Sequence, residues 1–293
     1  MTKKGISSRL YFTTFLCLIP LLLFGLYKNG VQLYKKDLVS FIEMIKPLII
    51  IAMSIAGAFI GSLIREFKAK NKDIKKVINN NKIILLEAMI IAFLMPINSS
   101  PIILFIFMII MGLFFRRFEL NRIASFYILI EVINKILGLN SFENLYEYSA
   151  LAKYNGLDLF LGFSSGGICS TSIILILISL FILMNNKIYK KEISVYSIIS
   201  FVVLTGIFYM IKGDYASILP KIFGYNIFFI YVFVAPNLYS SSYTEKGKIL
   251  SGILIGILTF VLSFVTYYGS AIIACFIVSI LKGILDKPFE LKN

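Results

Sequence analysis

Apolar and polar positions segregate along this chain into long blocks rather than alternating at a short period. The blocks predict ten membrane crossings, at 9–27, 46–64, 83–95, 101–115, 120–138, 168–185, 193–211, 221–235, 249–267 and 269–285. A helix needs about 20 apolar residues to cross a hydrocarbon core of about 30 Å, and two blocks fall short. Block 83–95 would rise only about 20 Å and stops at Pro96 in "FLMPINSSP". Block 221–235 is nearly as short and stops at Pro236 in "VAPNLYSSS". They are the third and eighth blocks. These places correspond if the chain is two five-helix halves of opposite topology, roughly 1–138 and 156–293. Short, proline-interrupted segments in matching places mark the central site of inverted-repeat membrane proteins.

The longest hydrophilic stretches, 65–82 and 139–157, are too short to bury cores of their own. The chain therefore reads as one integral membrane domain, 1–293. Before the ninth block lies a polar run, in "APNLYSSSYTEKGKILSGILIGIL" (235–258). Its hydroxyls and amides either serve non-helical backbone at membrane depth or form an ordinary cytoplasmic turn. Gly252 and Gly256, one turn apart beside Ser251, suit the close approach of a neighbouring helix.

Composition agrees with an all-α polytopic membrane protein: 59% hydrophobic residues, mean hydropathy +0.89 and only 15% charged residues. The net charge of +14 would suit nucleic acid, but its placement argues otherwise. With a cytoplasmic N-terminus, 21 of the 29 Lys and Arg residues fall on the inner side and 7 on the outer. That bias is the positive-inside signature. It predicts a multi-pass cell-membrane protein with both termini cytoplasmic and an uncleaved first helix, and it excludes a nucleic-acid partner. The basic stretch "REFKAKNKDIKK" (65–76) then lies beside anionic lipid. The chain has no histidine, and Cys17, Cys169 and Cys275 are far apart. A His-ligated metal or haem and a Ser-His-Asp triad are excluded, and no metal site is expected.

At "TEKGKILSGILIGILTFVLSF" (244–264), with "LDLFLG" (157–162) and "EAMIIAFLMP" (87–96), the chain resembles the RnfD/NqrB family as a divergent member. Those proteins are membrane subunits of the Rnf and sodium-pumping NADH:quinone oxidoreductase complexes. The resemblance implies ten helices in two inverted halves, FMN esterified to an outer threonine, and electron relay across the membrane coupled to Na⁺ or H⁺ movement. It also implies redox partner subunits, including an outward-facing flavoprotein. By the same resemblance, cofactor-binding positions fall on Asn121, Asn237, Ser240, Ser241, Thr244 and Lys246.

The chain departs from the family pattern at several chemical positions. The flavin-bearing threonine falls on Leu151, which has no hydroxyl to esterify, with Ser149 nearby in "YSAL". Covalent FMN is therefore not expected, and FMN or riboflavin would be held non-covalently. Family acids become Asn237, the run Cys169-Ser170-Thr171-Ser172, and Asn81-Lys82; the Asn-Pro-Ala turn survives only as Asn121 before Arg122-Ile123. Carboxylates are natural cation ligands or proton carriers at depth.

Of the acids that remain, Glu87 lies within the third block and is the candidate for an ion pathway; the alternative is a carboxylate paired with Lys82. Glu131 and Lys135, at i and i+4, read as a self-neutralising pair. Arg116 and Arg117 suit a flavin phosphate, an anionic lipid or stop-transfer charge, and Asp158 suits a cap. Tyr146, Tyr148 and Tyr154 suit either flavin stacking or a membrane interface. Three functions remain open: a flavin-dependent electron relay, an inverted-repeat transporter of a small solute such as a flavin, and a scaffold subunit without cofactor. No stand-alone catalytic residues are identified.

Overall fold

The first crossing is longer than its apolar block. In the computed structural model, which describes residues 3–68, 74–114, 120–138, 156–164, 166–266 and 268–289, helix α1 (Lys3–Leu26) runs straight into a π turn at Tyr27–Val31 and a last helical turn at Gln32–Tyr34. A π turn inserts one residue and re-aims its neighbours. Here it leaves Lys28, Asn29 and Gly30 all buried. Lys28, expected in an outer loop, is therefore inside a crossing that spans Arg9–Tyr34.

The remaining helices are α2 (Phe41–Lys68), α3 (Ile74–Leu94), α4 (Pro101–Phe114), α5 (Arg122–Ile136), α6 (Gly156–Leu161), α7 (Ile173–Met184), α8 (Lys191–Lys212), α9 (Ile218–Phe223), α10 (Ile227–Phe233), α11 (Glu245–Leu262) and α12 (Ser270–Asp286). No strand occurs among the described residues. Among the described residues, four runs are long and apolar enough to cross a membrane: Arg9–Tyr34, α2, α8 and Tyr215–Phe233. Large apolar side chains such as Ile136, Phe181 and Ile211 point outward, as lipid contact requires.

The two short blocks resolve differently. α3 is 21 residues long, because its helix begins at Ile74 within the polar stretch before the apolar block. Polarity does not stop a helix, whose hydrogen bonds are internal; Pro96 does, since the position before proline disfavours helical backbone. The eighth block is broken in its middle, at Gly224–Asn226 between α9 and α10. Tyr225 there has φ +63°, uncommon for a bulky residue, and its ring lies 4.1 Å from that of Tyr268.

A non-helical segment, 166–172, threads between these ends. The last carbonyls of any helix lack internal partners, and in a membrane they must find them within the protein. Ile168 N donates to Met95 O at 2.9 Å and Cys169 N to Phe93 O at 3.1 Å. The side chain of Asn226 completes the junction. Its Oδ1 accepts from Gly167 N at 2.7 Å and Ser170 Oγ at 2.6 Å, while its Nδ2 donates to Leu94 O at 3.3 Å. From α1, Asn29 Nδ2 donates to Ile168 O at 2.7 Å. Lys28 Nζ donates to Ser164 O at 2.6 Å, Thr171 Oγ1 at 2.9 Å and Gly162 O at 3.2 Å.

Around this junction, α2 packs on α4 and α8 on α11. The second contact depends on Gly252 and Gly256: a methyl on them would stand 2.8 Å from Ile193 O and 2.7 Å from Ser197 O. Backbone meets backbone there, as the glycine spacing predicts.

Candidate functional site

Between α1, α3 and the segment following α10 lies a small cleft, half open to solvent, with a cavity volume of about 70 Å³. Leu10, Ile90, Ile123 and Leu183 line its walls, and Tyr11, Tyr189, Asn237 and Tyr239 bring polar atoms to it. Such mixtures of apolar wall and few polar groups are the usual make-up of small-molecule sites.

Glu87, on α3, forms part of the lining. Arg122, the first residue of α5, grips it bidentately: Nε donates to Oε2 at 2.9 Å and Nη2 to Oε1 at 2.7 Å. Each side chain is only 5% exposed. The placement of Arg122 follows from local sequence, because Asn121 caps α5 by accepting from Ala124 N at 3.2 Å. Asn121 Nδ2 also donates to Val234 O at 3.0 Å, tying this helix start to the end of α10.

The second half of the chain reaches the same carboxylate. Asn237 Nδ2 donates to Glu87 Oε1 at 3.1 Å, and the Tyr239 ring lies 5.2 Å from the Arg122 guanidinium. Forked pairing of this kind fixes geometry as well as charge. Lys82 is exposed and is not the partner of Glu87.

Of the six expected cofactor positions, Asn237 alone lines the cleft. Ser240 is 1% exposed, with a hydroxyl lacking any hydrogen bond. Ser241 accepts from Lys190 Nζ at 2.8 Å through both its carbonyl and its Oγ. Lys190 also donates to Leu238 O at 3.1 Å; burial, and then Lys248, push its ammonium pKa down to about 8. Thr244 caps α11 by accepting from Gly247 N at 3.1 Å, and its Oγ1 donates to the buried Asp286 Oδ1 at 2.6 Å. Lys246 Nζ stands 5.7 Å from the Phe289 ring. The motif that carries the resemblance is thus a helix cap clasped by an acid 42 residues away.

Other candidates are dispersed. Asp158 sits in the first turn of α6. Lys135 is exposed on α5, one turn after the half-buried Glu131. Leu151, Ser149, Tyr146, Tyr148, Tyr154, Arg116 and Arg117 lie outside the described residues. No group of three His, Cys, Asp or Glu side chains able to hold a metal occurs among the described residues. Four residues of the polar framework were not singled out from sequence: Arg122, Asn226, Asp286 and Lys28. Each is a polar side chain inside or at the edge of an apolar block, and that position is the signal that marks them.

The family described as NQR2, RnfD, RnfE matches residues 122–293, more than half of the chain. The protein belongs to this family. It is a membrane subunit of the type found in Rnf and Nqr complexes, and redox subunits are the partners the family implies. The match begins at Arg122, so it includes Arg122 and Asn237 but not Glu87 or helices α1 to α4. No curated protein matches the chain.

Proposed function

We propose that this NQR2/RnfD/RnfE-family protein holds a flavin non-covalently in the cleft beside Glu87, Arg122 and Asn237, and relays electrons across the cell membrane within a multi-subunit redox complex. The observation that carries this reading is the cleft itself. A flat ring system would lie between its apolar walls and tyrosines, with Asn237 as a polar contact. The cofactor would supply the electron transfer; the protein sets its position and dielectric. An ester link at Leu151 is excluded by its side chain.

The proposal includes two inverted halves of five helices, with both termini cytoplasmic. The second helix of each half packs on the fourth, as α2 on α4 and α8 on α11, and glycines mediate both contacts. The bias of Lys and Arg supports the orientation.

Flavin titration of the purified protein tests the reading. Riboflavin or FMN fluorescence should be quenched at a saturable site, and Ile90→Trp, which fills the cleft, should abolish the quenching. Flavin that stays with the protein after acid precipitation would instead show a covalent link. No quenching and a colourless protein overturn the proposal. A second reading, transport of a small solute, is favoured by the break at Gly224–Asn226; uptake of labelled flavin into proteoliposomes would identify it.

A further inference from the structure

At one end of the bundle, the loop after α10 draws two lysines onto its carbonyls. Lys190, just before α8, donates to Leu238 O at 3.1 Å and to Ser241 O and Oγ at 2.8 Å each. Lys282, on α12, donates to Tyr239 O at 3.2 Å. Residues four apart share one side of a helix. Lys248 therefore lies on the Thr244 side of α11, and Lys282 on the Asp286 side of α12. The Thr244–Asp286 hydrogen bond of 2.6 Å joins those two sides where α11 packs on α12. Both lysines are close enough to Lys190 to repel its ammonium.

The charges gathered there do not balance. Asp286 is the one carboxylate acting on Lys190, and it is committed elsewhere. It is fully buried and accepts from Tyr243 N and Thr244 N at 3.1 Å each, and from the Thr244 hydroxyl. Glu245, in the first turn of α11, is exposed. The half-buried Lys248 ammonium has no hydrogen-bond or ion-pair partner among the described residues. Like charges held together away from bulk water repel strongly, and an anion seated between them relieves that repulsion.

We propose that Lys248 and Lys282 bind the phosphate headgroup of one anionic phospholipid at this end of α11 and α12. Lysine meets phosphate as a flexible point charge, and basic pockets between membrane helices are a recurring place for acidic headgroups. A lipid fits better than a soluble anion because the surroundings are amphipathic. Tyr239 and Tyr243, on the same loop, are exposed, as suits rings at headgroup level. Leu250, Ile280 and Ile284, on the outer sides of α11 and α12, are exposed and apolar, where acyl chains would lie. Neither lysine lines the cleft, so this site is separate from the flavin reading.

The test uses the purified full chain in neutral detergent, with neither flavin nor electron donor, and leaves the flavin titration standing on its own. Phosphatidylglycerol or phosphatidylcholine is added at rising mole fraction, bound lipid is counted by native mass spectrometry, and Tm is followed in parallel. One retained phosphatidylglycerol per chain and a saturable rise in Tm are expected, with neither for phosphatidylcholine. Glycerol phosphate at the same concentration should leave Tm unchanged. A rise equal to that with the lipid would assign the site to free phosphate and overturn the lipid proposal.

Lys248→Gln and Lys282→Gln should each weaken phosphatidylglycerol binding about fivefold, and the double variant should lose saturable binding. Lys248→Gln breaks no side-chain hydrogen bond among the described residues, so in phosphatidylcholine it should melt no lower than the natural protein. That comparison separates lost binding from lost folding. Lys212→Gln, at the opposite end of α8, should bind as the natural protein does. Equal retention of the two lipids, undiminished affinity in Lys248→Gln, or an equal loss in Lys212→Gln overturns the proposal.

Discussion

Arg122 holds Glu87 through two hydrogen bonds of 2.9 and 2.7 Å, joining the start of α5 to the middle of α3 with both side chains almost fully buried. An ion pair taken out of water gains little net stability over apolar residues of the same volume, yet losing one member strands a charge. Glu87→Leu and Arg122→Met alone should therefore each cost about 3–5 kcal/mol. The Glu87→Leu/Arg122→Met double variant should recover most of that loss. Denaturation of the four proteins in detergent gives the coupling directly; additive losses would show that the pair does not act as a unit.

Asn226 should be the most sensitive polar position in the central junction. Asn226→Leu leaves the Gly167 amide and the Leu94 carbonyl without this partner, at roughly 1–3 kcal/mol for each buried group left unpaired. Asn226→Asp keeps the acceptor for Gly167 and Ser170 but loses the donor to Leu94, so it should fall between. Melting temperatures rank the three. Equal stability of the leucine and natural proteins would mean that water replaces the amide.

Much of the helical layout is legible in the sequence because hydrocarbon tolerates only internally satisfied backbone. Blocks of apolar residues therefore mark the crossings, and Pro96 marks the end of α3. Helix starts are less legible. α3 begins in polar residues and α1 continues through Lys28, since helices extend wherever backbone bonds continue and a buried cation can find carbonyls. The site was harder to read. Glu87, alone in an apolar block, and Asn237, within a polar run, both draw attention, but their meeting depends on tertiary placement across 150 positions. Arg122 lies near the start of an apolar block, and its meeting with Glu87 depends on the helix start that Asn121 caps.

The glycines of α8 and α11 give opposite expectations. Gly256→Val must push α11 off α8, where a methyl would already stand 2.7 Å from Ser197 O; overpacking of this kind costs about 1–3 kcal/mol. Gly206, also in α8, has open space at its Cβ position. Gly206→Ala should therefore stabilise the protein by about 0.5–1 kcal/mol through helix propensity alone. Thermal melts distinguish the two, and a destabilised Gly206→Ala would reveal a neighbour at that face.

Lys190 supplies a pH dependence with a defined sign. Its folded pKa is pushed down to about 8, first by burial, then by Lys248 and further by Lys282, with Asp286 opposing, from an ordinary value of 10.5. Between those values the unfolded chain binds more protons than the folded one, so this group's contribution to stability rises with pH. Below about 8 both states are protonated and the contribution stays constant at its least favourable level. The natural protein should therefore gain in Tm over Lys190→Met as pH climbs from about 8 towards 10.5, despite the three hydrogen bonds Lys190 makes to Leu238 and Ser241. Parallel Tm curves for the two proteins would mean that water reaches this ammonium and its burial carries no penalty.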